Sequence, residues 1–222
     1  MTAITHVLFD LDGTLIDSAP AIVASYEAAF AAAKLNPARP IDASIIGPPL
    51  LETIAELCPT ADASQLQQLA AEFKRSYDSE GYRQTAAYPG VEALLDGLHA
   101  AGFTLGIATN KRLHPTELIL QHLGWRQYFS AVYALDMIAP ALPNKAAMLA
   151  RMLDQQRIDP ASAVYIGDRA EDGQAADANH LPFIATSWGY GSLSADALRT
   201  HWQQSDQPQT LLTLLLTDVD QR

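Results

Sequence analysis

The feature that most constrains this chain is a short apolar run that ends in acid, Val7-Leu8-Phe9-Asp10-Leu11-Asp12-Gly13-Thr14. Unbroken apolar bulk of this kind belongs to a strand buried on both faces. Asp10 falls where that strand ends, and in an open parallel α/β sheet ligands bind outside the carboxyl ends of the strands. Two carboxylates two residues apart repel unless a positive charge lies between them. A hard divalent cation with a taste for oxygen ligands is the simplest such charge. The run predicts an acidic, metal-assisted site at the tip of the first strand.

Behind that tip the pattern turns helical. Pro20 suits a first helical turn, Asp17 or Ser18 is placed to cap it, and Ile22, Val23, Tyr26, Ala29 and Phe30 recur at helical spacing. A short helix is expected over 50–57 and a longer one over 62–82, with Leu66, Leu69, Phe73 and Tyr77 as its apolar stripe. After Tyr88-Pro89-Gly90 strands and helices alternate. Helices are expected at 91–101, 115–123, 145–156 and 171–178, and strands at 103–108, 130–135, 163–166 and, as the last core strand, 183–187. Two tail helices are expected at 196–203 and 210–216. Alternation of this kind predicts an α/β fold with a doubly wound, Rossmann-like parallel sheet. The expected domains are a core of residues 1–17 and 85–222 and a small all-helical domain, 18–84, inserted after the first strand. An insert there overhangs the acidic tip as a lid.

Charge narrows the partners. Against 25 acidic residues stand 14 basic ones, a formal net charge of -11, so a nucleic-acid partner is not expected. A small phosphorylated metabolite needs only a local positive pocket and stays open. The single cysteine, Cys58, makes no internal disulfide and reads as a small buried apolar residue. Neither a signal peptide nor a bilayer-length apolar run is visible, so the expectation is a soluble cytoplasmic protein without a membrane partner, as monomer or homodimer.

Polar residues sit at three strand ends: Asp10 and Asp12, then Thr109 and Asn110, then Asp168 with Asp172 four residues on. Lys145 opens the helix before the last of these strands. Together they resemble the haloacid dehalogenase superfamily. Its phosphatases carry Asp-x-Asp-Gly-Thr, here Asp10 to Thr14, then a Ser or Thr, here Thr109, a lysine, here Lys145, and Gly-Asp-x-x-x-Asp, here Gly167 to Asp172. The helical insert is similar to that superfamily's C1-type cap. Dehalogenases of the superfamily lack the second acid, so Asp12 favours phosphoryl chemistry.

The resemblance implies a Mg2+-dependent phosphatase that hydrolyses a small phosphomonoester through an aspartyl-phosphate. Asp10 is then the nucleophile and Asp12 the general acid and base. The metal lies on Asp10, the backbone carbonyl of Asp12, and Asp168. Thr109 and Lys145 hold the phosphoryl group, with backbone N–H groups near Gly13 and Asn110 completing a cradle. Asp172 orients either a metal-bound water or Lys145, and Lys111 competes with Lys145 for the lysine role. Ile46-Gly47-Pro48-Pro49-Leu50 and Trp188-Gly189-Tyr190-Gly191 are similar to phosphoglycolate phosphatase relatives, and also occur in nucleotidase-like and pyrophosphatase-like members. A sugar phosphomutase is disfavoured because no histidine follows the first motif closely. A non-catalytic phosphate-accepting module, the remaining alternative, needs neither a general acid nor a lid. Lys74, Arg75 and Arg83 read as a solvated helix face, and Trp188 and Tyr190 as either core or site wall.

Overall fold

The computed structural model describes residues 3–191, 193 and 197–220, the last three by backbone alone. The chain runs β1 (His6–Phe9), β2 (Ile16–Asp17), α1 (Ala19–Ala33), α2 (Leu50–Leu57), α3 (Ala63–Ser79), β3 (Ala86–Ala87) and α4 (Val91–Ala100). It continues through β4 (Thr104–Thr109), α5 (Leu113–His122), β5 (Phe129–Ala134), α6 (Lys145–Gln156), β6 (Ala163–Gly167), α7 (Ala170–Ala178), β7 (Phe183–Thr186), β8 (Gln203–Ser205) and α8 (Pro208–Asp220).

Six strands form one sheet in the order β5-β4-β1-β6-β7-β8, with every pairing parallel. The period-2 alternation of strand side chains divides the core between the two faces. Val7, Phe9, Leu105, Ile107, Val164 and Ile166 join one apolar cluster with residues of α4, α5 and α8. Leu8, Ala108, Ala163 and Tyr165 join the other, with Met148, Leu149 and Met152 of α6 and Ala175 and Ala176 of α7. Val7, Leu8 and Phe9 of β1 are buried on both faces, and no polar residue stands between His6 and Asp10.

The chain leaves β1 toward β4 and β5 on one side and returns toward β6, β7 and β8 on the other. The tip of β1 is therefore the topological switch point, where a crevice opens at the carboxyl edge. Register brings the polar strand ends to that point. Phe9 pairs with Ile107 of β4 and with Ile166 of β6, so Thr109 and Asp168 each stand two residues past the partner of Phe9.

The segment between β2 and β3 is helical, and those two short strands pair antiparallel at its base, Ile16 with Ala87 and Asp17 with Ala86. Its helices α1 and α3 pack through Tyr26 and Phe73, with ring centroids 4.4 Å apart. A reciprocal capping box between Asp62 and Gln65 starts α3. Cys58 is buried, as its apolar reading requires.

One expectation fails in the tail. Asp196 lies outside the described residues, residues 197–202 form turns instead of a helix, and Gln203–Ser205 form β8 beyond β7. The β7 edge offers unpaired backbone groups, and pairing with it outweighs local helical preference. Trp202 anchors the turn, its ring 5.2 Å from that of Phe183 and its Nε1 donating to Asp177 at 3.1 Å. Thus Phe183–Thr186 is not the last core strand.

Candidate active site

Three carboxylates, from Asp10, Asp168 and Asp172, each offer an oxygen within 4.8 Å of the others, and all three residues are buried. Lys145 is the cation among them. Its Nζ lies 3.1 Å from Asp10 Oδ1 and donates to Asp172 Oδ1 at 2.5 Å. Its placement follows from local capping: Asn144 accepts from the Ala147 N–H at 2.9 Å, starting α6 with Lys145 as its first residue. Asp172 is held from its other side by the Arg169 N–H, 3.0 Å from Oδ2. Asp168 accepts from the Gly191 N–H at 2.8 Å through Oδ2.

Three carboxylates against one ammonium leave a buried excess of negative charge. Burial pushes the Asp10 carboxyl up to about 8, with Asp172, Asp168 and Asp12 adding to the rise and Lys145 opposing it. Asp168 is raised to about 6, by burial first and then by Asp172. Burial works against the charge of Lys145, but Asp10 and Asp172 prevail and raise its pKa well above the ordinary lysine value. Among the described residues the buried Oδ1 of Asp168 accepts no hydrogen bond, and that of Asp10 has the Lys145 ammonium as an ion-pair partner but accepts no hydrogen bond. Unsatisfied carboxylate oxygens and an unbalanced negative charge fit a hard, oxygen-seeking cation.

Asp12 lies on the same turn as Asp10 but is held by a different set. Lys111 Nζ donates to its two oxygens at 3.0 and 3.3 Å, and Ser18 Oγ donates to Oδ1. Its carboxylate therefore stands apart from the three-acid cluster. The turn demands glycine at its centre: Gly13 has φ +83°, and a Cβ there would run into the Asp168 carboxylate. The Gly13 N–H bonds the Ile16 carbonyl at 3.0 Å, so this turn, and not a phosphate cradle, uses that donor. Thr109 is buried at the end of β4, and its Oγ1 accepts from the Lys111 N–H at 3.2 Å.

Asn110 has a role the sequence did not reveal. Its Nδ2 donates to the Gly47 carbonyl at 3.0 Å and to Glu171 at 3.3 Å, tying the helical segment to the sheet edge. Gly47 packs against Arg169 at φ +121°, where a side chain would be strained and would collide with the guanidinium. Arg112 and Asp78 make a second tie. Tyr190 packs half-buried against the core, and its hydroxyl has a further use. Its hydroxyl accepts from the N–H groups of Ser18 and Ala19 at 2.6 and 2.9 Å and donates to Asp17 at 2.7 Å, pinning the start of α1. Asp17 also accepts from the Ala19 N–H at 3.1 Å, while the Ser18 hydroxyl is turned to Asp12 and does not cap the helix. Trp188 donates from Nε1 to the Thr14 carbonyl at 2.9 Å. Arg75 and Arg83 lie on exposed surface beside Glu72 and Glu80.

The chain belongs to the haloacid dehalogenase-like hydrolases, whose family model matches residues 7–186. A phosphoglycolate phosphatase of Xylella fastidiosa is 35% identical over 194 residues, covering 84% of this chain and 81% of the relative. The tyrosine-protein kinase PtkA of Mycobacterium tuberculosis is 32% identical over 191 residues, 83% of this chain and 62% of that longer protein. Among solved structures, a predicted phosphatase from Clostridium acetobutylicum superposes with a TM-score of 0.83 at 27% identity, covering 98% of this chain and all of the other. No described helix is long and apolar enough to cross a membrane.

Proposed function

We propose that this protein is a Mg2+-dependent phosphomonoesterase acting on a small phosphorylated metabolite, with phosphoglycolate as the leading substrate. Phosphatase relatives in sequence and structure support the reaction class. The observation that carries the mechanism is the division of two neighbouring acids: Asp10 faces Lys145, and Asp12 faces Lys111 and Ser18. Two carboxylates in different environments are suited to different tasks.

In this reading Asp10 attacks phosphorus, the bond to the leaving oxygen breaks, and Asp12 gives that oxygen its proton. Asp12 then takes a proton from the water that hydrolyses the aspartyl-phosphate. Lys145, fixed by Asp172, offsets charge on the phosphoryl oxygens, and Thr109 offers them a hydroxyl donor. The carboxylates of Asp10 and Asp168 and the carbonyl of Asp12 would hold the Mg2+, which when bound neutralises the phosphate and the nucleophile. Residues 18–84 serve as a cap domain that shuts water out, on a core of 1–17 and 85–222. Two ties favour that role, the hydrogen bond from Asn110 to Gly47 and the ion pair of Arg112 with Asp78.

The test is release of inorganic phosphate from phosphoglycolate with and without Mg2+, alongside Asp10→Asn. The expected result is turnover that stops in EDTA and in the variant. Full activity in EDTA would remove the metal, and normal turnover by Asp10→Asn would remove the nucleophile. Transfer to a protein or sugar acceptor without free phosphate would replace hydrolysis by phosphoryl transfer.

A further inference from the structure

Between the sheet edge and the helical segment lies a cavity of about 500 Å3, including its open mouth. Asp12 and Lys111 stand in its lining, and most of the remaining wall is apolar or aromatic, including Ile22, Ile46, Phe73 and Tyr77. Among the described residues that line it, the cations are Lys111 and Arg112. Both terminal nitrogens of Arg112 are engaged by Asp78. Lys111 is paired as well, with Asp12, but Asp12 is the acid that turns to the ester oxygen, and that turn frees the Lys111 ammonium to meet a ligand. Its side chain is only 7% exposed, and Nζ lies 4.6 Å from the centre of the Tyr77 ring.

We propose that Lys111 reads the leaving group: its ammonium takes a carboxylate borne on the carbon attached to the ester oxygen, so that the enzyme prefers phosphate esters of small 2-hydroxy acids. This rests on the hydrolase reading, in which Asp12 protonates the ester oxygen. That oxygen then lies within a hydrogen bond of Asp12, whose carboxylate Lys111 already contacts at 3.0 Å. In an ester of a 2-hydroxy acid the ester oxygen and the nearer carboxylate oxygen are about 3 Å apart, as two carbon centres with ordinary bond lengths require. One ligand can thus present its ester oxygen to Asp12 and its carboxylate to Lys111. A neutral leaving group offers the desolvated ammonium nothing while Asp12 turns to the ester oxygen, and a cationic one repels it. Lys111 and Lys145 consequently divide the two anions of such a substrate, carboxylate and phosphoryl group.

The deciding experiment compares three two-carbon esters that differ in charge: phosphoglycolate, ethyl phosphate and 2-aminoethyl phosphate. Wild-type kcat/KM should fall in that order, with phosphoglycolate ahead of ethyl phosphate by roughly 10- to 100-fold, the range of a charge-assisted hydrogen bond. Lys111→Met should reduce this ratio to near one, and Lys111→Arg should keep most of it. Because the loss of a partner of Asp12 slows both alkyl esters alike, the ratio isolates recognition from proton transfer. A wild-type enzyme that hydrolyses ethyl phosphate as well as phosphoglycolate overturns the inference but leaves the hydrolase reading standing, as does Lys111→Met with an undiminished ratio. Should Lys111→Met not fold, the wild-type series and Lys111→Arg still decide. Absence of phosphate release from all three esters and from an aryl phosphate overturns both.

Discussion

Arg112, at the start of α5, and Asp78, near the end of α3, face each other in a two-pronged ion pair that joins the sheet edge to the helical segment. Their side chains are 17% and 19% exposed. A paired, partly desolvated guanidinium and carboxylate hold geometry better than a surface pair does. With the bond from Asn110 to Gly47, they hold the helical segment to the sheet edge beside Asp12.

Breaking that tie should loosen the segment without unfolding the core. A double-mutant cycle of Arg112→Ala and Asp78→Ala is expected to give a coupling of about 1–2 kcal/mol in urea denaturation. Hydrogen exchange should quicken in α1 and α3 before it does in β1. Equal protection in wild type and variants would mean that packing alone holds the segment down.

Asp10→Asn should separate activity from stability. The variant loses the proposed nucleophile, so turnover should drop at least ~1,000-fold. It also removes one of three crowded buried carboxylates while Lys145 keeps Asp172. In chelator its Tm near pH 8 should therefore exceed that of wild type, as differential scanning calorimetry can measure. A lower Tm would mean that the ion pair with Lys145 outweighs the repulsion.

The same crowding sets a pH dependence. Asp10 and Asp168 have folded-state pKa values of about 8 and about 6, both above the 3.8 of an ordinary aspartate. Between the ordinary and the raised values the folded state binds more protons than the unfolded one. The metal-free protein should thus lose stability as pH rises from about 4 to about 8. Mg2+ favours the ionised carboxylates, so its thermal shift should be larger near pH 8 than near pH 5.5. Equal shifts at both values would place the ion elsewhere.

Tyr190→Phe should uncouple the start of α1 from the loop after β7. The hydroxyl serves the N–H groups of Ser18 and Ala19, and Ser18 in turn holds Asp12. The Ala19 N–H keeps Asp17 as an acceptor, but the Ser18 N–H loses its own, and one unsatisfied donor at this part-buried position costs about 1–3 kcal/mol, or several degrees in Tm for a chain of this size. Because Asp12 loses its alignment, kcat should fall more than KM rises. A drop in Tm with unchanged kcat would confine Tyr190 to folding.

What the sequence alone determined is whatever neighbours along the chain decide. The apolar run before Asp10 ends a strand because β1 is buried on both faces. Asn144 starts α6 and so sets Lys145 at its first turn, and Gly13 permits a φ that crowds the turn against Asp168. Alternating strands and helices indicated the parallel sheet for the same reason, since periodicity is a local property. Only the tertiary structure paired Lys111 with Asp12 across 99 residues, Arg112 with Asp78 across 34, and Tyr190 with Ser18 across 172. It also made a strand of Gln203–Ser205, where the open edge of β7 outweighed a helical pattern. Such partners depend on how the helical segment docks and which edge stays open, and no local periodicity records either. The nature of the acids at the tip of β1 is thus written in the chain, while the different surroundings of Asp10 and Asp12 come from the two lysines that folding brings to them.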